Sequence, residues 1–188
     1  MAHALHVRGR PRDLADSRQA IEFEGVLRDF ERLTRIVQDD LERLPEANRP
    51  QDWRSRPVSV SLEFAWADVQ KHVPAVNGRL STALPAVCQR CLEACELAVE
   101  VDLHHLLVAL GQSVDGLGDY DVWELTEHEL SLQTLVEEAL IMALPLAAMH
   151  ESRADCGPLA DELESGSAEP ADRVRPFAGL RALLDEQE

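Results

Sequence analysis

Apolar and polar residues alternate strictly from Val58: Val58, Val60, Leu62, Phe64 and Trp66 fall on one side, and Ser59, Ser61, Glu63, Ala65 and Ala67 on the other. A period of two is the pattern of a half-buried strand. A second alternation sets Val76, Leu80, Thr82 and Leu84 against Asn77, Arg79, Ser81 and Ala83, with Gly78 weakening the strand or marking a bulge. A third sets Leu97, Val99, Val101 and Leu103 against Ala98, Glu100, Asp102 and His104, and can continue toward Val108. The short connections suit an antiparallel meander with one packed face and one polar face.

On the N-terminal side, residues 12–19 suit a short helical turn after Pro11, and Ile21-Glu22-Phe23-Glu24 reads as a short strand ended by Gly25. From Val26 the apolar positions fall at 26, 27, 30, 33, 37, 41 and 44, the spacing of an amphipathic helix that Pro45 stops. Its arginines read as a solvated face, and residues 45–57 as a connector. On the C-terminal side, residues 111–118 form a loop and 120–125 a short strand or extended segment. Leu132, Leu135, Val136, Ala139, Leu140, Ala143 and Leu144 predict a helix closed by Pro145, with Ser131 preferred over Thr126 as its cap. Residues 151–175 are acidic and rich in Ser, Gly and Pro, which predicts a flexible loop. Pro176, Phe177, Leu180, Leu183 and Leu184 predict a terminal helix over 176–188 that docks on the domain. The expected fold is therefore α+β: a largely antiparallel sheet packed with a few helices, forming one domain over residues 1–150.

Length and composition fit that expectation. At 188 residues and 45% apolar content the chain can bury one ordinary core without covalent staples. No stretch approaches the roughly 20 apolar residues of a membrane helix, and Met1 to Arg12 is basic where a signal peptide would be apolar, so a cytoplasmic location is expected. The net charge of −17 is unevenly placed: residues 1–56 hold 11 basic and 11 acidic residues, against 7 and 24 in residues 57–188. The acidic two-thirds disfavours non-specific nucleic-acid binding and favours basic protein partners, or simply confers solubility. RNA contact would not oppose the field in the neutral first third.

Three of the four cysteines lie in Cys88-Gln89-Arg90-Cys91-Leu92-Glu93-Ala94-Cys95, between the second and third predicted strands. The C-x-x-C pair has three readings. As half of a zinc site, Cys88 and Cys91 need partners, and His150 with Cys156, beyond the helix that ends at Pro145, would complete an ordinary set of three thiolates and one imidazole. As a thiol redox pair, the cysteines should start a helix, whereas here a strand follows. As buried small hydrophobes they need no ligand. Cys95, His104 and His105 are alternative ligands, although His104 falls on the polar face of its strand. Arg90, between two thiols, is a candidate contact to RNA or a protein partner. Glu137 and Glu138 read as the solvated side of a helix. No phosphate-binding glycine loop or nucleophile motif occurs.

Val87 to Glu93 (Val-Cys-Gln-Arg-Cys-Leu-Glu), the helix from Leu135 to Pro145, His150, Cys156 and Arg175-Pro-Phe-Ala-Gly-Leu180 together resemble the YceD family of large ribosomal RNA subunit accumulation proteins. The resemblance spans nearly the whole chain. It departs from the family where Ala139 stands in place of a usual acidic residue, and where Val-Arg-Pro-Phe replaces Asn-Pro-Phe. The resemblance implies a bacterial cytosolic factor needed for synthesis, processing or protection of large-subunit ribosomal RNA; it implies no established enzymatic activity, and a non-enzymatic ribosome-biogenesis factor is expected. The expected partners are ribosomal precursor RNA or basic ribosomal and assembly proteins. A metal-dependent RNA-processing enzyme and a thiol redox protein are the alternatives.

Overall fold

The three alternating segments form the centre of one sheet. The computed structural model describes residues 5–114 and 119–161. In chain order it contains β1 (Arg8–Gly9), α1 (Pro11–Asp16), β2 (Ala20–Val26), α2 (Glu31–Leu41), β3 (Pro57–Trp66), β4 (Pro74–Val87), β5 (Ala94–Ala109), β6 (Asp121–Leu125), β7 (Leu130–Ser131) and α3 (Leu132–Met142). The main sheet runs β2-β3-β4-β5-β6; its first three pairings are antiparallel, while β6 adds to β5 in parallel. β1 and β7 pair separately and fasten the segment before α1 beside the start of α3. Among the described residues, no helix is long and apolar enough to cross a membrane.

One face of the sheet carries Val58, Val60, Leu62, Phe64, Leu80, Leu84, Val99 and Leu103, all buried with Leu33, Val37 and Leu41 of α2 and Leu132, Leu135, Val136 and Leu140 of α3. The other face is polar over much of its area. Cross-strand register places Glu22, Ser61, Arg79 and Asp102 in one row, where Arg79 donates to Asp102 at 2.9 Å. Apolar-in, polar-out alternation is what a sheet covered on one side requires.

Local departures from the periodicity have identifiable causes. β2 does not end at Gly25 but continues through it, pairing Gly25 with Val58 and Val26 with Pro57. The helical spacing that starts at Val26 therefore overreaches: Asp29 Oδ2 accepts the Val26 N–H at 3.2 Å, residues Leu27–Asp29 form a single 3-10 turn, and α2 starts at Glu31. Gly78 is not a bulge, because its register with Leu62 and Leu103 is unbroken. Ser131 caps α3, accepting the Thr134 N–H. Residues 151–161 of the expected flexible loop include a 3-10 turn at Arg153–Asp155 and the buried Ala160. The rest of that loop and the expected terminal helix lie outside the described residues.

Glu137 corrects the solvated-face expectation. It is the buried charged residue of the described core, 8% exposed, and its Oε1 accepts the backbone N–H of Arg32 at 2.7 Å and of Leu33 at 3.2 Å. The residue before α2, Phe30, has no side chain able to cap, so α3 supplies the missing acceptor from across the core. Glu138 remains on the surface and pairs with Arg32 at 2.6 Å. Glu137→Ala, which leaves two helix-end donors without an acceptor, is expected to destabilise the protein by about 2 kcal/mol. Glu137→Gln keeps a carbonyl oxygen and should cost less. Urea unfolding midpoints of the two variants would check the order.

Candidate metal centre

Cys88 and Cys91 lie at the tip of the β4–β5 hairpin, whose pairing runs from Ala75 with Leu106 to Val87 with Ala94. The Cys88 N–H donates to the Glu93 carbonyl at 2.9 Å, the Leu92 N–H to the Cys88 carbonyl at 2.8 Å, and the Arg90 N–H to Cys88 Sγ at 3.4 Å. The tip thus curls around one sulfur. Closing it forces Leu92 to φ 59°, the left-handed region, at a cost of about 1 kcal/mol for a residue with a Cβ.

The chain after α3 returns to this tip. Gln89 donates its N–H to the Ala148 carbonyl at 2.9 Å, which seats His150 and Cys156 beside the hairpin. Cys91 Sγ is 3.5 Å and Cys156 Sγ 3.6 Å from His150 Nδ1, and the ligating atoms of Cys88, Cys91, His150 and Cys156 all fall within 4.8 Å of one another. A tetrahedral zinc with Zn–S of about 2.3 Å and Zn–N of about 2.0 Å separates its ligand atoms by roughly 3.5–3.8 Å, so both histidine-to-sulfur spacings match its edges. These four residues could hold a metal ion.

The surroundings are made of small side chains. Ala86, Cys88, Cys91, Cys95 and Ala160 are buried together, with Ala148, Leu97 and Cys156 packed against them. Gly157 lies so close to Glu93 that an added Cβ would fall 2.0 Å from its Oε1, so the residue after Cys156 approaches the tip without a side chain. The Arg90 guanidinium turns toward the cluster, 3.5 Å from Cys156 Sγ and 3.6 Å from Met149 Sδ. Met149, Ala148 and Gly157 belong to a segment with no hydrophobic period, and nothing in the sequence singled them out.

The cysteines differ electrostatically. Desolvation, the largest influence on Cys88, opposes its ionisation. Hydrogen bonds from the backbone of His150, Arg90 and Cys91 and from the His150 ring outweigh it and bring that thiol down to about 6. Cys156 is raised, first by desolvation and then by the neighbouring Cys91 and Cys88, with Arg90 acting the other way. Burial, and then the charges of Cys88, Cys91, Asp40 and Cys156, push Cys95 up to about 11, which keeps it a neutral thiol beside the cluster. All four cysteines are free.

Of the alternative ligands, His104 and His105 lie nine and ten residues beyond Cys95 on the extended β5, about 30 Å away. His104 Nδ1 meets Asn77 Oδ1 and its ring stacks on Tyr120 with centroids 3.8 Å apart. No helix begins at the C-x-x-C pair, since β5 starts at Ala94.

No solved structure matches this chain. The large ribosomal RNA subunit accumulation protein YceD of Haemophilus influenzae is 35% identical over 130 residues, covering 67% of this chain and 73% of the relative. A family model described as large ribosomal RNA subunit accumulation protein YceD matches residues 76–184, a span that contains the whole cysteine and histidine cluster. The chain, with its hairpin tip and the segment that returns to it, therefore belongs to the YceD family.

Proposed function

We propose that this protein is a non-enzymatic factor supporting the synthesis, processing or stability of large-subunit ribosomal RNA, and that zinc held by Cys88, Cys91, His150 and Cys156 fastens its fold. The observation that carries this reading is the four-donor cluster inside the family-matched residues. Four protein donors are a closed set, the kind that serves structure; zinc sites that perform hydrolysis keep a position open for water. The donor chemistry therefore favours a clip over a metal-dependent nuclease. Zinc in this place would supply cross-linking between the hairpin tip and the segment after α3. The Arg90 guanidinium, directed at Cys156, would offset part of the negative charge of three thiolates.

The charge distribution supports a division of contacts. The acidic residues 57–188 suit a basic ribosomal or assembly protein, and RNA contact falls to the neutral first third. In cells lacking the gene for this chain, the ratio of large-subunit to small-subunit ribosomal RNA should fall, and a plasmid copy should restore it. An unchanged ratio would overturn the functional reading. Cleavage of precursor RNA by the purified protein would overturn its non-enzymatic part.

A further inference from the structure

Strand β6 ends the main sheet, so about half of its backbone N–H and C=O groups point away from β5. Among the described residues, nothing bonds to them on that open side. A cleft of about 400 Å³ lies beside the strand and is lined by residues 122–125 in succession. Consecutive strand residues point to opposite faces, so a cleft touched by all of them follows the edge of the sheet and not one face. Leu130 and Leu135, from β7 and α3, contribute apolar surface to it.

The edge is also one-sided in charge. Glu124, Glu127, Glu129 and Glu138 line the cleft against the guanidinium of Arg8. Glu138 pairs with Arg32, so Glu124, Glu127 and Glu129 supply the field. Arg10 and Arg12 line the neighbouring cleft beside Asp13 and mark where the acidic stretch ends. At the opposite edge of the sheet, the cleft along β2 is lined by Leu5, His6 and Arg28 as well as Glu24 and Asp29, so that edge has chain beside it and a smaller excess of negative charge.

We propose that β6 takes up an extended, lysine- or arginine-rich segment of a partner protein as an additional strand of the sheet. The proposal rests on the functional reading above for the kind of partner, a basic ribosomal or assembly protein, and gives that partner a place on the molecule. Main-chain bonds to β6 supply the attachment, and the two rows of side chains supply the selectivity. Trp123 and Leu125 are half-buried against the core, whereas Val122 and Glu124 are exposed. An added strand therefore meets apolar surface along one row and carboxylate along the other, which selects a segment that alternates basic with aliphatic residues. The same carboxylates repel phosphate. They also oppose a second copy of this chain, whose own β6 would bring like charges to the seam.

The test uses the full chain and a short fluorescein-labelled peptide that alternates lysine with valine, followed by anisotropy at low salt. Saturable binding is expected. Glu127→Gln with Glu129→Gln should weaken it about fivefold, whereas Glu22→Gln with Glu24→Gln, on β2, removes the same charge and should change it less than about twofold. The same peptide N-methylated on its backbone amides keeps every charge but loses the donors that would face β6, and should bind at least about tenfold more weakly. Equal binding of the N-methylated peptide, or equal weakening by the two glutamate pairs, would reduce the interaction to net charge and overturn the site. Tighter binding of a short single-stranded RNA would overturn it in favour of a nucleic acid. A dimer in solution that Val122→Asp dissociates would give the edge to a second copy. No saturable peptide binding would overturn the edge site and leave the functional reading standing, since the ribosomal RNA ratio tests that separately.

Discussion

Stripping metal from the purified protein with a chelator is expected to lower its melting temperature by roughly 8–16 °C. A ligand present at about a thousand times its dissociation constant stabilises the native state by about 4 kcal/mol, and in a protein of this size each kcal/mol moves the midpoint by roughly 2–4 °C. The main sheet and its helices bury a core of their own, so the protein should remain folded at room temperature without metal and lose order first around the hairpin tip. Protein purified without a metal-affinity tag should carry one zinc per chain by elemental analysis. Cys156→Ser should lose that zinc and melt like the chelated protein. Cys95→Ser should keep it, because Cys95 stands outside the four-donor set. Zinc absent from the native protein, or retained in Cys156→Ser, would dissolve the proposed centre.

Gly78→Ala should destabilise the protein by about 3 kcal/mol, lowering the melting temperature by roughly 6–12 °C. Gly78 sits in β4, between β3 and β5, and a Cβ there would lie 2.2 Å from the Ser61 carbonyl oxygen and 2.8 Å from Leu62 Cδ2. One obstacle is backbone, so relief requires the β3–β4 spacing to open rather than a side chain to rotate. Gly111→Ala makes a useful contrast: it lies in the left-handed region at φ 76° with open space around it, and tests backbone strain without steric contact. Thermal unfolding of both variants, followed by circular dichroism, would separate the two mechanisms. A Gly78→Ala protein as stable as the native one would mean that β3 and β4 can part at little cost.

The strands were legible because their central stretches are buried on one side only; the ends of β4 and β5, where successive residues such as Leu106, Leu107 and Val108 are all buried, lose the alternation. β3 matches its expected place to within one residue at each end, β4 and β5 appear at theirs extended by a few residues, and α3 starts at its expected cap. The four candidate zinc ligands were nameable by residue type. Their convergence was not, since His150 and Cys156 follow a segment without periodicity and reach the hairpin through local contacts such as the Gln89 to Ala148 hydrogen bond and those of Arg90 with Cys156 and Met149. Glu137 illustrates a limit of pattern reading. A carboxylate beside an apolar stripe looks solvated until the neighbouring helix end, which lacks its own cap, is known to lie against it. β1 and β7, two residues each, are too short to carry an alternating signal.

The length of the β4–β5 hairpin bears on the order in which the protein is made. Its two strands follow one another directly, so the ribosome has released every residue of the pairing once Ala109 has emerged. Cys91 and His150 are 59 positions apart, and Cys156 follows later still. A nascent chain would therefore present Cys88 and Cys91 on a formed tip for an interval before their partners exist, exposed to oxidation and to capture of a metal by two thiols alone. Completion of the cluster becomes a late event of biosynthesis, after α3 has been synthesised, and a fully coordinated metal would mark a chain that has finished folding.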